Sequence, residues 1–242
     1  MSLFIYVIII IAYPQLFVKD FFMSALAKLA QNYPESSKTQ LTVHFSKTKE
    51  DLGQILIMAE IEKAPAEALT IIKKLIAETQ AIYFSENTKS LEKALENTLQ
   101  KINIIISEIV KKETDMWLQN LNMAIVAYKE NEVYFSKVGK IRVFLVNEKS
   151  ITDVAGEHKT GEKVNIIKAF ANIFSGQINI DKNESLTFLT ESVLDYISQD
   201  KIKKIIINSP TAFEALKELE NLLKKAPKSK SFASILILEK SA

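Results

Sequence analysis

Six apolar residues, Leu91, Leu95, Leu99, Ile102, Ile106 and Ile109, fall on one stripe through about 20 residues that begin near Thr88. An earlier stripe, Leu69, Ile72, Leu75 or Ile76, and Ile82, follows Ala64-Pro65, where proline suits the first turn of a helix. Two long amphipathic helices in succession predict an antiparallel pair, and such a pair must cover an apolar surface. The chain supplies one immediately. Leu121–Tyr128, Val133–Val138, Ile141–Val146 and Ser150–Val154 read as four short strands, joined at Glu130-Asn131, Val138-Gly139-Lys140 and Glu148-Lys149. A layered helix-on-sheet protein is therefore expected, with the strands read as a contiguous meander.

The flanking sequence extends this frame. Leu41–Phe45 and Ile55–Ile61 read as two strands around the loop 46–54. Val164–Ile173 carries no clear period, and Phe174-Ser175-Gly176 is read as its end. Gln177–Ile180 and Leu186–Leu189 read as further strands, turning at residues 181–184. Ser198 suits the N-cap of a helix reaching about Ile207, and Ser209-Pro210 suits the start of another reaching about Lys225. Ser231–Leu238 reads as a closing strand. Pro34–Lys38 reads as a polar linker, so residues 1–38 are expected to stand apart from a folded domain at residues 39–242.

Composition removes several chemistries. A net charge of +2 with acids and bases interspersed argues against a nucleic-acid partner. The basic run Lys224–Lys230 reads as a solvated loop. There is no cysteine, which excludes disulfides, thiolate metal sites and cysteine nucleophiles. His44 and His158 stand at no metal-ligand spacing, so zinc chemistry and a Ser-His-Asp triad have no support. Trp117, just before the strands, reads as a core or sheet-edge anchor.

Residues 3–18 are almost wholly apolar, and three readings stay open for them. As a helix, sixteen residues span roughly 24 Å, short of a ~30 Å hydrocarbon core. A membrane anchor is one reading, and Lys19 and Lys28 would then place the main domain on the cytoplasmic side. A secretory leader lacks its usual basic start, although Ala25-Leu26-Ala27 has the form of a cleavage site. The third reading is a buried strand, or a start assigned too early, with Met23 as the alternative. The expected location is cytoplasmic, at the inner face of a membrane if the anchor reading holds.

Four stretches carry a resemblance to a known family. Phe188–Ser198 (FLTESVLDYIS) resembles the strand that ends in Thr/Ser-Asp-Gly-Leu, followed by Asp-Tyr-apolar-Ser, in the metal-dependent Ser/Thr protein phosphatases of PPM type. Ile55–Glu60 resembles the strand ending in Val-Ala-Asp-Gly, Val133–Arg142 the strand ending in Val-Gly-Asp-Ser-Arg, and Ser231–Leu238 the Asp-Asn-Ile-Thr before the last strand. Together they span about Leu41 to Leu238. The resemblance implies an α+β fold, a four-layer α-β-β-α sandwich of two antiparallel sheets flanked by helix pairs. The Ntn-hydrolase architecture has similar layers, but nothing here marks the processed N-terminal nucleophile it needs.

The same comparison implies a depleted site. Glu60 and Glu191 fall where the family has metal-binding Asp, Lys140 where it has another acid, and Ser231 where it has a third Asp. Val138, Gly139 and Arg142 match the family pattern, while Ile61 and Ser192 replace glycines. Two hard divalent ions about 3.5–4 Å apart need several carboxylates in near-octahedral geometry. Asp to Glu moves the oxygens outward by roughly 1 Å, against a tolerance of about 0.2 Å. Lys140 adds a cation that could pair with Glu60 or Glu191. The expectation is an inactive, pseudophosphatase domain serving as a regulatory or protein-interaction module, with no catalytic residue, no metal and no cofactor. The alternative is a divergent phosphatase using Mn or Mg on Asp51, Glu60, Glu191 and Asp195, the last four residues after Glu191 and so one helical turn away.

Overall fold

Leu121, Met123, Ile125 and Ala127 pack into one hydrophobic core, while Ala124, Val126 and Tyr128 of the same strand pack into another. A strand buried on both faces belongs inside a stack of layers. The computed structural model describes residues 24–29, 40–45, 51–61, 68–112, 115–156, 170, 174–177, 183–223, 225 and 233–239. In chain order the elements are strands β1 (Ser24–Leu29), β2 (Gln40–Phe45) and β3 (Gln54–Ile61), then helices α1 (Ala68–Ser85) and α2 (Leu91–Lys112). Strands β4 (Leu121–Lys129), β5 (Glu132–Val138), β6 (Ile141–Val146), β7 (Ile151–Asp153), β8 (Phe174–Gln177) and β9 (Ser185–Thr190) follow. Helices α3 (Gln199–Asn208) and α4 (Ala212–Leu223) precede the last strand, β10 (Ala233–Glu239). Short 3-10 helices occupy Asp115–Asn120 and Glu191–Asp195.

Among the described residues these form two five-stranded antiparallel sheets, in the orders β1-β10-β9-β6-β7 and β2-β3-β4-β5-β8. Three cores hold the layers. The α2 stripe packs with Ile72, Leu75 and Ile76 of α1 onto Ile55, Ile57 and β4. Leu56, Met58, Val126 and Phe135 of one sheet meet Ile141, Val143 and Phe188 of the other. Ile202, Ile205, Leu216 and Leu219 of α3 and α4 cover Phe144, Leu189, Ile235 and Ile237. The order is α-β-β-α, as expected, with α1 and α2 side by side. Each fully buried Leu, Ile or Phe contributes about 1.5–3 kcal/mol. That is why these helices are fixed by their stripes rather than by propensity.

Four expectations are corrected. The folded body does not start at residue 39, because β1 pairs with β10 along its whole length. The strands from Leu121 to Asp153 are not one meander. β4 and β5 lie in one sheet and β6 and β7 in the other, and the chain crosses between sheets at Gly139-Lys140. Phe174-Ser175-Gly176 does not end an element but forms β8, paired with β5. Ser209 closes α3, its Oγ donating to the Ile205 carbonyl at 2.7 Å, while Thr211 Oγ1 caps α4 by accepting from Glu214 N at 3.2 Å. Ser198 does cap α3, accepting from Lys201 N. Residues 3–18, Pro65, His158 and Ser231 lie outside the described residues. Among the described residues no helix is long and apolar enough to cross a membrane.

Buried polar groups pin the loops to this frame. Tyr83 OH donates to the Leu52 carbonyl at 2.8 Å, and burial pushes its phenol well above the ordinary range. Asn103 clamps Phe170 by two hydrogen bonds of 3.0 Å, its Nδ2 donating to the carbonyl and its Oδ1 accepting from the amide.

Candidate active site

The crossing between sheets also builds the candidate site. Gly139 adopts a positive φ of 73° at the crossing. Lys140 N, next in sequence, donates to Asn122 Oδ1 at 2.7 Å, and Lys140 O accepts from Glu191 N at 3.0 Å. That last bond continues the β6–β9 ladder one step past Ile141↔Thr190. It fixes the start of the 3-10 helix Glu191–Asp195 against the crossing. Thr190, extended at φ −73° and ψ 145°, supplies its N-cap position.

Arg142 organises the charges here. Its Nη1 lies 3.1 Å from Asp153 Oδ2 and its Nη2 lies 3.4 Å from Glu191 Oε1. One guanidinium therefore ties the edge strand β7 to the 3-10 helix. Asp153 is itself oriented, since its Oδ1 accepts from Ala155 N at 3.1 Å. Both of its oxygens are thereby engaged.

A second cation sits close by. Lys137 is on the same face of β5 as Val133 and Phe135, which enter the core between the sheets, and only 7% of its surface is exposed. Desolvation lowers its pKa. Asp153 and Glu191 pull the other way, and Arg142 adds to the lowering. Burial outweighs the pull of the two carboxylates, so the ammonium is less stable here than in water.

Three of the expected residues do not converge as anticipated. The Lys140 side chain is exposed and makes no ion pair among the described residues, so its backbone serves the site and Arg142 provides the pairing foreseen for it. Asp51 precedes β3 at the end opposite Glu60, about 20 Å away along the strand, and pairs weakly with Lys89 at 3.9 Å. Asp195 is exposed and belongs to a 3-10 helix, not an α-helix. With 3.0 residues per turn, position i+4 lies about 120° around from Glu191, against about 40° in an α-helix. Glu60 pairs through its backbone with Asn122, at the same end of the sandwich as Lys140; its side chain and Ser231 lie outside the described set.

The described residues do not fit a pair of hard divalent ions. Asp153 and Glu191 share a guanidinium, and a buried ammonium stands beside them. Among the described residues no three potential metal-ligating side chains come together. Sequence reasoning missed Asp153 and Lys137. Asp153 is diagonal to Arg142 across the β6–β7 ladder, a relation set by the pairing Phe144↔Asp153. Strand alternation from Val133 and Phe135 could have turned Lys137 inward.

No family model matches this sequence, and no curated protein does. Solved structures do. A bacterial serine phosphatase shares 14% identity with TM-score 0.67, covering 92% of this chain and 100% of that one. The serine/threonine phosphatase Stp1 from Staphylococcus aureus shares 15% identity with TM-score 0.67, covering 96% and 100%. The chain has the PPM phosphatase fold. The Mycobacterium tuberculosis serine/threonine phosphatase PstP/Ppp is similar as well, at 12% identity and TM-score 0.64, covering 91% of this chain and 99% of that one. The PstP catalytic domain has been solved in complex with two manganese ions. At these identities the likeness is one of fold. Within the PPM fold, Glu191 follows the strand β9 at the place where the resemblance puts a metal-binding acid, and here that acid is paired with Arg142.

Proposed function

We propose that this chain is a catalytically inactive PPM-phosphatase-like domain that works as a regulatory or protein-interaction module. The observation that carries this reading is the state of Glu191. Its carboxylate faces the Arg142 guanidinium at 3.4 Å, with Asp153 on the other arm of the same group. A carboxylate neutralised by a fixed cation is a poor ligand for a divalent ion, because binding must first displace that cation. Two-metal hydrolysis needs both ions to position and activate water. With the sandwich retained and the acids exchanged, what remains to act is the protein surface.

A manganese titration tests this. A functional dinuclear site binds only in the folded state, so manganese at a hundredfold the dissociation constant would add about 2.7 kcal/mol of stability. For a domain of this size that is a rise in Tm of more than about 5 °C. The proposal expects less than about 1 °C at millimolar manganese or magnesium, with p-nitrophenyl phosphate and a phosphoserine peptide hydrolysed at the buffer rate. A large rise that Glu191→Ala and Glu60→Ala each abolish, together with turnover, would instead establish a divergent metal-dependent phosphatase.

A further inference from the structure

We infer that Arg142 is the resident cation of this site: it neutralises Glu191 and Asp153 in place of a divalent ion, and removing its charge opens a single-ion site on those two carboxylates. This rests on the reading above, that the natural chain holds no metal at Glu191. It goes further in naming the residue that keeps the ion out and the ion that would replace it.

The geometry is that of one cation serving two acids. Asp153 Oδ2 and Glu191 Oε1 each lie within 3.5 Å of one nitrogen of the same guanidinium. The two acids come from different elements, the edge strand β7 and the 3-10 helix after β9. The Asp153 carboxylate is anchored through Ala155 N; for Glu191 the backbone is fixed, its amide donating to the Lys140 carbonyl. Without a cation between them, two partly buried carboxylates repel at short range. Removing the guanidinium leaves Asp153, 23% exposed along its side chain, with its charge unpaired, while Glu191 at 41% stays better solvated.

The vacated space suits a small, hard cation. Magnesium-type ions keep most of their water and take one or two protein carboxylates, which is the ligand set left behind. Glu191 is 41% exposed along its side chain, so an ion has a route in. The Lys137 ammonium, buried behind the pair, contributes one compensating charge and so weakens the gained site without abolishing it. With a single ion on Asp153 and Glu191, restored phosphatase turnover is not expected.

The test uses the full chain with Arg142→Ala, Arg142→Gln and Arg142→Lys. Gln keeps hydrogen-bond donors but no charge, so it stays informative if Ala fails to fold. Melting is followed with and without 10 mM manganese, and bound manganese is counted from loss of the free-ion electron-paramagnetic signal. Arg142→Gln should melt below the natural chain in chelator and recover at least about 3 °C with manganese, binding one ion per chain. Arg142→Lys should gain nothing, and Arg142→Gln with Glu191→Gln should lose the gain. If the Gln variant folds yet neither binds manganese nor is stabilised by it, the inference fails while the inactive reading stands. If the natural chain itself shows the large manganese shift, the inactive reading fails first.

Discussion

Replacing Gly139 by Ala isolates what the crossing between the sheets requires. Gly139 has φ of 73°, where a side chain costs about 1–2 kcal/mol. A Cβ built there would overlap the Leu121 carbonyl oxygen and Asn122 Oδ1, and the first is backbone in the central strand β4 that cannot swing aside. Relieving such an overlap typically costs a further 1–3 kcal/mol, roughly. Displacing Asn122 also loosens its bond from Lys140 N, worth about 1 kcal/mol. The sum is about 3–6 kcal/mol, a fall in Tm of roughly 6–24 °C at about 2–4 °C per kcal/mol. Gly156 is the control. Its φ is 65°, yet a Cβ there meets nothing within 4 Å, so Gly156→Ala should lose only the conformational part, about 1–2 kcal/mol. Urea unfolding of the two variants and the natural chain, with m held common, measures both losses. Equal losses, within about 1 kcal/mol, would refute steric control of the crossing.

Two further outcomes follow from the charged groups. Glu86, between α1 and α2, accepts from Lys101 Nζ at 2.6 Å and Asn97 Nδ2 at 2.8 Å, and these bonds hold its carboxyl below the ordinary range. A depressed carboxyl stabilises above its unfolded pKa of about 4.3 and loses that contribution as pH falls through the folded value. Glu86→Gln should therefore cost about 1 kcal/mol at pH 7 and nothing near pH 2; a pH-independent difference in unfolding free energy would contradict this. Lys137 runs the opposite way, since desolvation lowers its pKa: the unfolded chain holds its proton to about pH 10.4 while the folded chain releases it earlier. Stability is penalised below the folded pKa and recovers up to about pH 10.4, so Lys137→Met should be at least as stable at pH 7, with an advantage that shrinks by pH 10. A constant gap between the two proteins from pH 7 to 10 would refute the desolvated ammonium.

The sandwich was legible where one period repeats long enough to exclude the others. The α2 stripe and the four strands from Leu121 to Asp153 are of that kind. Their division between two sheets was not legible, because Gly139-Lys140 has the length of a hairpin turn and a sheet change differs from it only in tertiary pairing. Strand β1 was hidden for another reason: Ser-Ala-Leu-Ala-Lys-Leu has weak strand propensity, and it is held by β10 rather than by its own preference. At the site, the sequence around Glu191 located the acid, since its neighbours are local. Lys140, at the changed motif position, offers itself in the sequence as a partner for Glu60 or Glu191. The structure gives the role to Arg142, two residues on, because the Lys140 backbone is consumed by Asn122 and Glu191 and its side chain is left in solvent.

The pairing of β1 with β10 also sets a schedule for synthesis. Ser24 faces Leu238, more than 200 residues later in the chain. At about 5–20 residues per second, β1 leaves the ribosome roughly 10–40 s before its partner strand exists. Throughout that interval a strand that the finished sheet keeps at its edge has no ladder to join, next to the apolar run of residues 3–18. The helix pair α1–α2 and the β3–β4–β5 ladder involve near neighbours and can form meanwhile. Folding is therefore completed from the last strand backwards: β10 must dock on β9 before β1 has a place, and a chain stalled short of residue 233 leaves β1 unpaired.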